Sequence, residues 1–154
     1  MNPCRAIDDG ETGMGAAASL ASGVHWLIDF FGVDAARLGD VAALETLLVD
    51  AACAAGAQIV FLHFHRFGNH SDVDGAGVTG VVLLAESHIT IHTWPERGYA
   101  ALDLFLCGAT RPQAALTALE RALLPTRCEV QQCARGEPWI ARATLRTDNS
   151  TPLS

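Results

Sequence analysis

Three strand-like runs crowd into residues 78–107 with almost nothing between them, and that spacing limits the fold more than any other feature. VTGVVLLAE begins at Val78 and HITIHTW at His88. Pro95 ends the second run, Gly98 offers a turn, and YAALDLFLC follows from Tyr99. Links this short can join antiparallel strands, whereas a parallel crossover needs about a dozen residues or more. The three runs therefore read as neighbours in an antiparallel sheet. VTGVVLLAE is apolar enough to read as a largely buried strand.

The rest of the chain supplies further strands and two helices. GVHWLIDFF, residues 23–31, mixes aromatic and β-branched types and reads as a strand. AQIVFLHFHRF, residues 57–67, reads as another, and RCEVQQCA as a last one. Asp40 can cap a helix that runs to about Ala55, since Val41, Leu44, Leu48, Ala51 and Ala55 keep helical spacing and Gly56 ends it. A second amphipathic helix spans Arg111 to Leu124, with Pro112 near its start and Pro125 just beyond its end. GNHSDVDGAG, residues 68–77, is a loop by composition. The order β-α-β-β-β-β-α-β predicts an α+β fold, a two-layer sandwich of an antiparallel sheet with helices packed on one face.

At 154 residues, half of them apolar, the chain is long enough for one globular domain with a real core. That domain is expected over residues 23–136, between a disordered head, 1–22, and a polar tail, 137–154. The first residues, MNPCRAIDDGETGMG, are acidic and lack the apolar core of a secretory signal. No apolar run approaches the roughly 20 residues of a membrane helix, so no membrane partner is expected. The net charge of −7 argues against a nucleic-acid surface and suits a cationic small molecule. Five cysteines at irregular spacing, with no CxxC, form neither a disulfide framework nor a zinc site. A cytoplasmic location, where thiols stay reduced, fits that usage.

The segment AESHITIHTWPE, residues 85–96, carries the chemistry. The period of two puts His88, Thr90, His92 and Trp94 on one face of their strand, with Ile89 and Ile91 directed into a core. Incidental polar residues on a half-exposed face are the plain explanation. A shared metal ion is not: on a strand the two histidines stand roughly 13 Å apart. No metal is expected.

Glu86-Ser87-His88 followed by Ile-Thr-Ile-His92-Thr-Trp-Pro-Glu96 resembles the self-cleavage site of the prokaryotic S-adenosylmethionine decarboxylase proenzymes, a pyruvoyl-dependent family. The likeness extends to GVHWLIDFFGVD at 23–34, HFHRF at 63–67 and GYAALDLFLCG at 98–108, and covers roughly residues 23–135. It implies that the Ser87 hydroxyl attacks the carbonyl of Glu86, that the resulting ester breaks by β-elimination, and that residue 87 becomes a pyruvoyl group. Such a carbonyl forms a Schiff base with an amino-acid substrate and accepts electrons when CO2 leaves, as pyridoxal phosphate does. The resemblance makes His92 the proton acceptor in processing. Thr79 stands where the family usually has a serine that assists the acyl shift. Cys107 matches the cysteine that returns a proton to the substrate, work that a thiol can do as a general acid. Phe67 matches the residue that stacks on adenine, and Glu96 the acid that holds the ribose hydroxyls. Trp94 and His88 lie beside them as further substrate-binding candidates. The implied reaction converts S-adenosylmethionine to its decarboxylated form for spermidine synthesis, in a homodimer with sites at or near the subunit contact.

One stretch departs from the family. FGNHSDVDGAGVTG, residues 67–80, lacks the usual Ser-Pro-Gln and is longer by about six residues. Loops accept such insertions cheaply. The insertion also adds Asp72 and Asp74, which could pair with the cationic end of arginine or ornithine, the substrates of some relatives. A third alternative is an unprocessed homologue that acts as a partner subunit.

Overall fold

The protein is described from a computed structural model, over residues 23–67, 76–85 and 87–135. Within these residues the chain forms strand β1 (Gly23–Phe31), helices α1 (Ala35–Gly39) and α2 (Val41–Ala55), strands β2 (Ile59–Arg66), β3 (Val78–Leu84), β4 (Ser87–Trp94) and β5 (Tyr99–Cys107), helix α3 (Pro112–Leu123) and strand β6 (Arg127–Arg135). The strands form one sheet in the order β2-β3-β4-β5-β1-β6, and every pairing is antiparallel. The α+β two-layer sandwich expected from the short links is the observed fold.

Local chemistry explains where the elements stop. The Asp40 carboxylate accepts a hydrogen bond from the Ala43 amide at 3.1 Å and so caps α2. Gly56 closes that helix in the left-handed conformation, which glycine adopts without a side-chain clash. Asp34 does the same work for α1, accepting from the Ala36 amide at 2.8 Å. The guanidinium of Arg37 then donates to the Ala122 carbonyl at 2.7 Å, which satisfies an open carbonyl in the last turn of α3. A single 3-10 turn, Pro95–Arg97, links β4 to β5, and Gly98 completes it at φ 57°.

The core lies on one face of the sheet. Trp26, Ile28 and Phe30 of β1, Ile89 and Ile91 of β4, and Leu102 and Leu104 of β5 are buried with Leu44 and Leu48 of α2 and Leu116 and Leu119 of α3. Removing each large side chain from water contributes about 1.5–3 kcal/mol. Among the described residues no helix covers the opposite face. Leu27 is 38% exposed there, Phe61 59% and Leu83 45%.

Two expectations change. Helix α1 is additional; its five residues are too few for periodicity to reveal. β3 is buried on one face only, since Leu83 projects onto the helix-free face. Cys107, Cys128 and Cys133 are free thiols. Burial, with a hydrogen bond to Glu120, pushes the Cys128 thiol up to about 11.

Candidate active site

Strand β4 runs through the middle of the sheet and carries functional candidates at both ends. Its odd positions Ile89, Ile91 and Thr93 are buried. Its even positions, His88, Thr90, His92 and Trp94, face the helix-free side. At the far end of the strand, the register opposes Thr79 of β3 to His92. Their side chains meet, with Thr79 Oγ1 3.0 Å from His92 Nδ1. The contact serves either tautomer. Thr79 donates to a bare Nδ1, or it accepts from Nδ1–H and leaves Nε2 free as a base.

This pair lines a cavity of about 320 Å³ together with Phe67, Gly77, Thr93, Trp94 and Glu96. Phe67 is 51% exposed and Trp94 36%, so both rings are open to a ligand. The Phe67 amide donates to the Gly77 carbonyl at 2.8 Å, which fixes the ring at the end of β2. Behind the cavity, the buried Thr93 hydroxyl accepts from the Val78 amide at 2.8 Å and donates to the Leu38 carbonyl at 2.8 Å. That hydroxyl ties α1 and β3 to β4 directly behind His92 and Trp94.

Ser87 stands at the other end of β4. Its partner across the hairpin is Leu84, so only residues 85 and 86 make the link. Glu86 lies outside the described residues, as do Asp72 and Asp74. His92 stands five positions after Ser87, about 16 Å along a strand. The chain therefore gathers Thr79, His92, Phe67, Trp94 and Glu96 at one end and leaves Ser87 at the other.

Cys107 belongs to the Ser87 end. The register that opposes His88 to Phe105 brings the last residues of β5 beside the first residues of β4. Gly23 pairs with Cys107 across β1, and a Cβ there would lie only 2.6 Å from the Cys107 Sγ. The thiol occupies space that only glycine leaves free.

Between the two ends lies a polar cluster that sequence reasoning missed. His25 Nε2 is buried and lies 3.3 Å from Asp103 Oδ1 without hydrogen-bond geometry. Thr90 donates to Asp103 Oδ2 at 3.0 Å. The His88 and His25 rings meet edge-on at 6.2 Å. Burial, and then repulsion from His25, lower the His88 pKa, with Asp103 opposing them. The available signal was Asp103 itself, a charged residue inside the apolar run YAALDLFLC.

Comparison with known proteins identifies the family. The family model described as S-adenosylmethionine decarboxylase matches residues 24–136. The chain is 40% identical over 115 residues to an S-adenosylmethionine decarboxylase proenzyme of Methanococcus maripaludis, covering 74% of this chain and 89% of that protein. It is 41% identical over 131 residues to the proenzyme of the same name from Parasynechococcus marenigrum, covering 84% and 98%. The crystal structure of the adenosylmethionine decarboxylase from Aquifex aeolicus superposes with a TM-score of 0.67 at 37% identity, over 75% of this chain and 92% of that one. The chain belongs to the S-adenosylmethionine decarboxylase family.

Proposed function

We propose that this protein is a self-processing, pyruvoyl-dependent decarboxylase acting on S-adenosylmethionine, with Ser87 as the residue that gives rise to the pyruvoyl group. The observation that carries the proposal is the Thr79–His92 contact, set in one cavity with Phe67 and Glu96. A hydroxyl held against an imidazole is the equipment that processing requires.

In the first processing step the Ser87 hydroxyl attacks the Glu86 carbonyl. The ester Oγ–C bond replaces the peptide bond, and the Ser87 nitrogen becomes a free amine. Thr79 supports that acyl shift. His92 then takes the Ser87 α-proton as the Glu86 carboxylate leaves. The remaining enamine hydrolyses to a ketone and releases ammonia. The placement of Ser87 fits this chemistry, because its scissile bond sits in a two-residue hairpin link at the start of β4. The pyruvoyl group, once formed, supplies an electron-accepting carbonyl for the substrate amine. Phe67 and Trp94 flank the flat base, Glu96 accepts from the ribose hydroxyls, and Cys107 delivers a proton to the substrate α-carbon.

The active species is a homodimer packed through the helix-free face. Two facts support this. That face exposes the large apolar side chains of Leu27, Phe61, Leu83 and Trp94, which a partner would cover. And the Thr79–His92 pair lies about 16 Å along β4 from its own Ser87, too far for proton transfer. A second copy related by a two-fold axis brings the His92 end of one protomer to the Ser87 end of its partner. The product feeds spermidine synthesis, and the expected location is the cytoplasm.

The test is CO2 release by the purified protein from S-adenosylmethionine, arginine and ornithine in parallel. Turnover of S-adenosylmethionine alone is expected. Turnover of a basic amino acid with none of S-adenosylmethionine would overturn the substrate assignment.

A further inference from the structure

A ladder of stacked side chains crosses the helix-free face and ends at the cavity wall. Trp94 stacks on Tyr99 with centroids 5.1 Å apart and planes 28° from parallel. Tyr99 stacks in turn on Phe31 at 5.2 Å and 28°. The Arg127 guanidinium closes the ladder, its carbon 3.7 Å from the centre of the Phe31 ring. The four residues come from four neighbouring strands. The register makes this possible, since it opposes Trp94 to Tyr99, Tyr99 to Phe31 and Phe31 to Arg127.

Tyr99 is fixed at its far end as well. Its hydroxyl donates to Asp29 Oδ1 at 2.5 Å. That hydrogen bond, with burial and the Asp29 charge, raises the Tyr99 pKa to about 12, so the donor proton stays in place at neutral pH. A ring stacked on both faces and hydrogen-bonded at its tip has no free rotamer. Trp94, by contrast, is stacked on one side, with the His92 ring tilted beside it at 6.4 Å. Its other side borders the cavity shared with Phe67 and Glu96.

We propose that Tyr99, locked by Asp29, is a positioning residue that holds the Trp94 ring as one flat wall of the substrate cavity. The substrate feature it serves is the planar purine, which a fixed aromatic wall favours over a flexible aliphatic chain. This rests on the S-adenosylmethionine assignment above. Tyr99 itself touches no reacting atom, so its effect falls on binding and not on the chemical steps.

The experiment compares the full-length wild type with Tyr99→Leu and Tyr99→Phe. Three quantities are read: KM and kcat for S-adenosylmethionine, the affinity for adenosine by calorimetry, and the extent of cleavage before residue 87. Tyr99→Leu is expected to raise KM and weaken adenosine about three- to tenfold, the range that one aromatic pair is worth. With the dimer confirmed intact by sedimentation, since Tyr99 lies on the helix-free face, the kcat and cleavage of Tyr99→Leu are expected to stay within about twofold of wild type. Tyr99→Phe keeps the stack but loses the Asp29 bond, and is expected to fall between Tyr99→Leu and wild type in affinity. Unchanged KM and adenosine affinity in Tyr99→Leu, or a loss confined to kcat, would overturn the proposal. If Tyr99→Leu does not fold, Phe31→Leu removes the next rung; a smaller rise in KM supports the ladder, and no rise overturns it. A wild type that is cleaved but binds neither S-adenosylmethionine nor adenosine would instead defeat the substrate assignment, and the ladder's role with it.

Discussion

Thr79 of β3 and His92 of β4 face each other across adjacent strands, with Oγ1 and Nδ1 3.0 Å apart. Neither residue type is unusual on a strand, but the contact gives the imidazole a fixed orientation and the hydroxyl a proton partner. Removing either should slow self-cleavage by about 10²-fold or more, the scale of one general acid–base group. Thr79→Ser should cleave nearly as wild type and Thr79→Val slowly. The fraction of cleaved chain over time, followed on denaturing gels, separates the two. Equal rates for Thr79→Val and wild type would remove the hydroxyl from the mechanism.

The distance between His92 and its own Ser87 makes a prediction about assembly. Ser87→Ala and His92→Ala should each remain uncleaved alone. Unfolded together and refolded as a mixture, they should regain cleavage. A mixed dimer holds one complete site, formed by Ser87 of one protomer and His92 of its partner, so random pairing yields about a quarter of all chains cleaved. No cleavage in the refolded mixture would place both residues of each site in one chain.

Gly23 should matter through Cys107. A Cβ at position 23 would lie 2.6 Å from the Cys107 Sγ and 3.0 Å from the Phe105 ring, so the thiol must shift. Misplacing a catalytic group by about 1 Å can cost up to roughly a hundredfold in rate. Gly23→Ala should therefore lower kcat tenfold or more and leave self-cleavage intact, since the role proposed for Cys107 is to protonate the substrate. Steady-state kinetics of the cleaved variant give the answer. A wild-type kcat would show that the thiol needs no such space.

His88 should make the protein less stable in mild acid. Burial comes first, then the neighbouring His25, in lowering the His88 pKa. Its pKa in the unfolded chain is about 6.5. As pH falls through that value the unfolded chain takes up the proton first. The stability gained by keeping His88 neutral is present above about 6.5 and is lost as pH falls through the lower folded value. The Tm of wild type should drop between roughly pH 7.5 and 5.5, and that of His88→Gln should drop less. A parallel decline in the two proteins would contradict the assignment to His88.

The sheet was legible in the sequence because its signals are local. Short links force β3, β4 and β5 to be antiparallel neighbours, and alternation in HITIHTW sorts His92 and Trp94 from Ile89 and Ile91. Helix α1 was not legible, because AARLG is shorter than two turns and its cap, Asp34, gives no period to read. Among the candidates, Ser87, His92 and Cys107 stand out through motif and resemblance. Their grouping does not, since which end of β4 Thr79 and Cys107 come to lie beside depends on the register. The Tyr99–Asp29 hydrogen bond joins residues 70 positions apart, and no spacing along the chain announces it. One-face burial was legible from pattern in β4 but not in β3, where apolar residues occupy both faces and the run reads as largely buried although only one face is. That excess of apolar surface is the signature of a second covered face.

The measurement closest to the central claim is the intact mass of the freshly purified protein under denaturing and reducing conditions. Self-processing at Ser87 predicts two chains, one of residues 1–86 ending in a free carboxylate and one starting at position 87 with a pyruvoyl group in place of serine. Ser87→Ala should give a single full-length mass. A wild type that remains a single full-length chain after days of incubation would contradict the account at its root.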